Sequence, residues 1–218
     1  MESKEGEALV AGEFVDVAQR LGLVRLVDHH ALDLAMETLH KAPTAVFSLN
    51  VSFETACDPE WLSKLAHCVM NRQDIAERLI IEVTESYAAD SLEEAKQFIN
   101  AVRDLGCRVA LDDFGAGYTS FRNLKSLPFD IIKVDGQFVD NLESSTENQK
   151  FIKALVDLAS LFDAQTVVEW VEDDITTDLL REWGVDYLQG FKFGKPQREL
   201  PWPTEEKSEK KQIGKRAS

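Results

Sequence analysis

Six short runs of apolar, β-branched residues recur along the chain: AVFSLNV (45–51), LIIEVT (79–84), CRVALD (107–112), DIIKVD (130–135), QTVVEWV (165–171) and VDYLQG (185–190). Near-continuous apolar character over so few residues predicts strands buried on both faces rather than half-exposed ones. Between them lie segments with apolar residues at three-and-four spacing, which predicts amphipathic helices. PEWLSKLAHCVMNR has Asp58 as its N-cap and Pro59 in its first turn. DSLEEAKQFINAVRDLG opens on an Asp90–Ser91 cap, places Glu93 and Glu94 in its first turn and ends at Gly106. STENQKFIKALVDLASLF and DDITTDLLREWG follow the same grammar, and two more helical segments, GEFVDVAQRLG and VRLVDHHALDLAMETLHK, precede the first strand. Strands alternating with helices at this spacing predict βαβ units and a parallel sheet. A doubly wound sheet is the alternative, but no glycine-rich phosphate turn follows the first strand. The favoured architecture is therefore α/β, most of a (β/α) barrel.

The remaining stretches set the boundaries. Residues 1–11 show no clear pattern, residues 12–200 form the barrel domain, and residues 201–218 mix charges without apolar periodicity, as a disordered tail does. A chain of 218 residues with 44% hydrophobic content suits one well-buried core. No apolar stretch reaches the ~18 residues of a membrane span, and no leader pattern opens the sequence. Cys57, Cys68 and Cys107 are unpatterned, which suits a reducing cytoplasm. A net charge of -15 argues against holding a DNA or RNA polymer on a basic surface. It also means that an anionic substrate needs bound cations or a local basic patch.

Polar residues fall at or near the C-terminal ends of the expected strands: Asn50, Glu82 (with Glu85 three residues on), Asp112 and Asp113, Lys133 and Asp135, Glu169, and Gln189. In a (β/α) barrel the strand tips converge at the active-site mouth. Hard oxygen ligands gathered there suit Mg²⁺ or Mn²⁺, and several carboxylates around one point repel unless a cation neutralises them. Taken singly, Asp113 or Glu85 is ordinarily a cap or loop residue and Asn50 a turn residue. A lysine inside an apolar strand is harder to explain that way, because a lone buried ammonium is costly. The four histidines show no metal-binding spacing. Gly115 and Gly117 suit a tight loop.

SLNVS, IEVTES, LDDFGAGYTSF, LPFDIIKVDGQFV, VVEWVE and YLQGFKFGKP together resemble the EAL domain family, in order, from about Gly12 to Pro196. The resemblance implies a modified TIM barrel that hydrolyses cyclic di-GMP to linear pGpG with two divalent cations, Mg²⁺ or Mn²⁺, and that forms a homodimer. It implies Asn50, Glu82 and Asp112 as metal ligands, and Asp113 at the second metal. It implies Lys133 at the attacking water or scissile phosphate and Glu169 as base or holder of the second metal's water. Gln189 and Asp135 would contact substrate, and Glu85 would hold the glycine loop, Phe114 to Ser120, in place. Glu7-Ala8-Leu9 matches the family's eponymous motif only by coincidence: it lies six residues before Glu13, and MESKEG ahead of it is polar. The expectation is therefore a barrel N-terminally incomplete by two strands. A non-catalytic module that binds cyclic di-GMP or a protein partner is the alternative, and an unrelated metal-dependent barrel hydrolase a third.

Overall fold

The computed structural model describes residues 11–115 and 121–197. The tail expected at 201–218, nearly all of segment 1–11 and residues 116–120 of the glycine loop lie outside the described residues. The chain opens with α1 (Ala11–Arg20) and α2 (Val24–Lys41), then β1 (Phe47–Asn50), α3 (Phe53–Ala56), α4 (Pro59–Val69), α5 (Gln73–Ala76) and β2 (Leu79–Thr84). It continues with α6 (Glu85–Asp90), α7 (Leu92–Asp104), β3 (Arg108–Phe114), α8 (Phe121–Leu124), β4 (Ile131–Val134) and a 3-10 turn (Gly136–Phe138). It closes with α9 (Thr146–Ser160), β5 (Gln165–Val168), α10 (Asp174–Glu182) and β6 (Tyr187–Leu188).

All six expected strands are present, in one parallel sheet of order β1-β2-β3-β4-β5-β6. Successive side chains alternate between its two faces. Leu79, Ile81, Val83, Val109, Leu111, Ile132 and Val134 enter the main core, under Trp61 and Leu65 of α4, Phe98 and Ile99 of α7, and Ile152 and Leu155 of α9. The other face carries a small apolar layer, Ile80, Ala110 and Ile131 with Val167 packed against it. One step nearer the C-terminal strand ends, the same face carries Glu82, Asp112 and Lys133. Ser48 of the first strand and Tyr187 of the last line one cavity of about 260 Å³ together with residues of the four strands between them. The sheet is thus curled into most of a barrel. Among the described residues β1 and β6 pair on one side only.

Two expectations need correction. β2 and β4 are buried on both faces apart from the end of β2 at Thr84, but β1 is exposed at Ser48 and Asn50 and β6 at Tyr187. With a neighbour on one side only, the inward face of an edge strand stays open. The expected cap at Asp90–Ser91 is also different: Asp90 ends α6, and the Ser91 side chain makes no capping hydrogen bond to α7. Other caps follow the sequence signals. Asp58 accepts from Glu60 N–H ahead of α4, Ser145 from Asn148 N–H ahead of α9, and Asp173 from Thr176 N–H ahead of α10. Among the described residues no helix is long and apolar enough to cross a membrane.

Candidate functional site

The charged layer meets at one nitrogen. Lys133 Nζ donates to Glu82 Oε2 at 2.8 Å and Asp112 Oδ1 at 2.7 Å, and lies 2.8 Å from Glu169 Oε1. Strand register explains the convergence. Asn50 is opposite Glu82, Thr84 opposite Asp112, and Lys133 opposite Val167, so the contributing side chains share the inner face. Glu169 comes immediately after β5 rather than within it, and Asp135 immediately after β4. Burial alone would favour the neutral amine of Lys133, but the charges of Glu82 and Asp112 outweigh it and hold the ammonium above its ordinary pKa. Burial pushes the Glu169 carboxyl up, against the hydrogen bond from Lys133 that pulls it down.

Asp113 reaches the same place by a backbone irregularity. A regular strand would send Asp112 and Asp113 to opposite faces. The register shifts between Leu111 and Phe114, and Asp113 takes a left-handed φ of 54°. Carboxylate oxygens of Asp112, Asp113 and Glu169 consequently lie within 4.8 Å of one another, a group that could hold a metal ion. Lost hydration, then repulsion from Asp112 and Asp135, raises the pKa of Asp113.

The remaining expected residues occupy distinct places. Asn50 is exposed at the end of β1, beside Glu82 in the register, with no hydrogen bond between the two side chains. Gln189 lines the inner cavity. The Asp135 side chain accepts from Gln137 N–H at 2.8 Å, which caps the 3-10 turn. Glu85 is buried, and its Oε2 accepts from Gly115 N–H at 3.1 Å. Gly115 has a φ of +108°, and a Cβ there would lie 2.6 Å from Phe138 and 2.8 Å from Phe151, whose rings stack at 4.0 Å. The start of the glycine loop is therefore fixed both by a carboxylate and by close aromatic packing.

Two features were not anticipated. Arg108, at the start of β3, lines the floor of the inner cavity. Trp170, directly after Glu169, is 65% exposed, has a left-handed φ of 58°, and packs its indole against Gly136. A bulky residue in that region is strained, and strain of this kind persists only where surroundings hold it in place. The one sequence signal was an aromatic immediately after a strand-end carboxylate.

Comparison with known proteins identifies relatives of the chain and of its fold. The EAL domain family matches residues 1–196. The cyclic di-GMP phosphodiesterase PdeF of Escherichia coli is 31% identical over 201 residues, covering 90% of this chain and 27% of that protein. The solved FimX EAL domain of Pseudomonas aeruginosa bound to c-di-GMP superposes with a TM-score of 0.85 at 25% identity, over 93% of this chain and 83% of that one. An EAL domain protein of Listeria monocytogenes gives 0.77 at 30% identity, over 94% and 80%. The chain spans about a quarter of the length of the curated relatives it matches.

Proposed function

Because this chain belongs to the EAL domain family, we propose that it hydrolyses cyclic di-GMP to linear pGpG at the centre built around Lys133. The observation that carries this is the convergence of Glu82, Asp112 and Glu169 on one buried ammonium at the C-terminal ends of neighbouring strands. The relative named a cyclic di-GMP phosphodiesterase and the FimX domain solved with c-di-GMP support the choice of substrate.

The donor set suits a divalent cation. Lys133 engages one oxygen each of Glu82, Asp112 and Glu169, and no described residue donates to the second. With Asp113 beside them, four carboxylates face one ammonium, an imbalance that cations relieve. All the donors are hard oxygens, which favours Mg²⁺ or Mn²⁺. We assign Asn50, Glu82, Asp112 and Asp113 as the residues that would hold such ions. When bound, these ions polarise the phosphate and activate water.

The chain's own groups account for the rest. Glu169, whose burial raises its proton affinity, takes the proton of the attacking water as the new P–O bond forms. Lys133 stays protonated and faces the non-bridging oxygens on which negative charge grows. The bond from phosphorus to the 3′ oxygen breaks, and the leaving alkoxide takes a proton from solvent water to become the 3′ hydroxyl. Gln189 and Asp135 contact the nucleotide, and Glu85 keeps the glycine loop in position. A homodimer is part of the same proposal.

A second reading, a module that binds cyclic di-GMP without cleaving it, is favoured by β1 and β6 pairing on one side only among the described residues. Chromatography after incubation with cyclic di-GMP and Mg²⁺ or Mn²⁺ separates the two. Release of pGpG, reduced about 10²–10³-fold by Lys133→Ala or Glu169→Gln, is the outcome expected of the enzyme. Binding without product supports the module. Absence of both removes both.

A further inference from the structure

We propose that Trp170 is a stacking platform for one base of the cyclic dinucleotide, and that Asp140 and Glu172 beside it select guanine. The inference rests on cyclic di-GMP being the ligand. Trp170 follows Glu169 across a single peptide bond, so its Cα lies about 3.8 Å from the Cα of the residue assigned as base. One face of its indole lies on Gly136, where a Cβ would come within 2.1 Å of the ring, so only glycine permits the contact. Gly136 in turn follows Asp135, another residue assigned to the nucleotide. The indole is therefore held between the two loops that border the hydrolytic centre, while 65% of the residue remains open to solvent. Exposed, immobilised aromatic rings are how proteins hold unstacked bases.

The surroundings favour a base over a phosphate. Trp170 borders a recess of about 500 Å³ whose other walls include Gly136, Gln137, Asp140, Glu172 and Asp173, with no lysine or arginine among its lining residues. Asp173 is committed to Thr176, whose N–H and hydroxyl both donate to it. Among the described residues the Asp140 and Glu172 carboxylates meet no hydrogen-bond donor, and they offer only acceptors. Guanine presents two adjacent donors, N1–H and the exocyclic N2 amine, and a carboxylate accepts both. Adenine presents one amine beside an acceptor nitrogen, which a carboxylate repels.

The test measures Kd, KM and kcat for cyclic di-GMP and cyclic di-AMP with the full chain and with Trp170→Gly, Trp170→Phe and Glu172→Gln. Glycine adopts a φ of 58° without strain, so the first variant removes the ring without compromising the backbone. Loss of one stacking contact is expected to raise Kd and KM for cyclic di-GMP roughly tenfold, with kcat within about twofold. Trp170→Phe is expected to recover most of the loss, and Glu172→Gln to narrow the preference for guanine over adenine. Affinity unchanged in Trp170→Gly overturns the proposal while leaving the proposed function intact. The same holds if that variant alters only the oligomeric state in light scattering, since the ring then serves a contact with a second copy. Failure of the wild-type chain itself to bind cyclic di-GMP removes the ligand, and this inference with it.

Discussion

At the scale of single residues, Lys133 decides whether the inner layer holds together. An ammonium has three N–H donors, and three carboxylates surround this one. Removing one member of a buried ionic group leaves the others uncompensated, at a cost of about 3–5 kcal/mol. Lys133→Met is therefore expected to lower Tm by roughly 6–20 °C in the presence of a chelator. The loss should shrink when Mg²⁺ is added, because a divalent cation takes over the neutralising role. Equal losses with and without metal would show that the side chain acts only by packing. Lys133 was legible in the sequence because a lysine inside DIIKVD has no ordinary explanation. Trp170 was not, since a tryptophan within QTVVEWV reads as one more core residue. Its exposure follows from a backbone turn that no side-chain pattern records.

At the scale of elements, the long helices announced themselves by their apolar spacing, α4, α9 and α10 also by their caps, and the hidden helices were short. α6 follows β2 without an intervening residue, and its six residues are too few to display a helical period. Only its cap marks it: Thr84 accepts from Tyr87 N–H. The bulge at Asp113 was equally hidden, because two adjacent aspartates look the same whether the strand is regular or not. One tertiary cap was invisible for a different reason. Arg78 donates to Ala42 O and Ala45 O at 3.0 Å and to Leu39 O at 3.1 Å, and so satisfies carbonyls at the end of α2 and in the loop after it from 33 to 39 residues away. Arg78→Met should cost about 2–3 kcal/mol. It should appear as a lower urea midpoint at unchanged m-value, since neither the core nor the exposed surface changes.

At the scale of the whole molecule, strand number, direction and order were all legible, since each buried run is followed by its own helix. The degree of curling was not, because it depends on accumulated twist between strands rather than on any residue type. The curling is what sets Asp112, Asp113 and Glu169, from different parts of the chain, close enough to share a cation. Mg²⁺ or Mn²⁺ is accordingly expected to raise the Tm of the wild-type chain by preferential binding to the folded state. Asp112→Asn should lose most of that shift, and equal shifts in both proteins would place the ion elsewhere. The sequential strand order has a consequence for how the chain assembles in time. Every strand pairs with its neighbour in sequence, so the sheet can grow from one end, although each parallel pairing must first close a helical crossover and is slow for that reason. Growth in that direction brings Glu82 and Asp112 side by side before β4 supplies the ammonium, and Glu169 joins only after β5 has docked. The electrostatics of the centre are thus unbalanced in every intermediate that lacks the fourth strand.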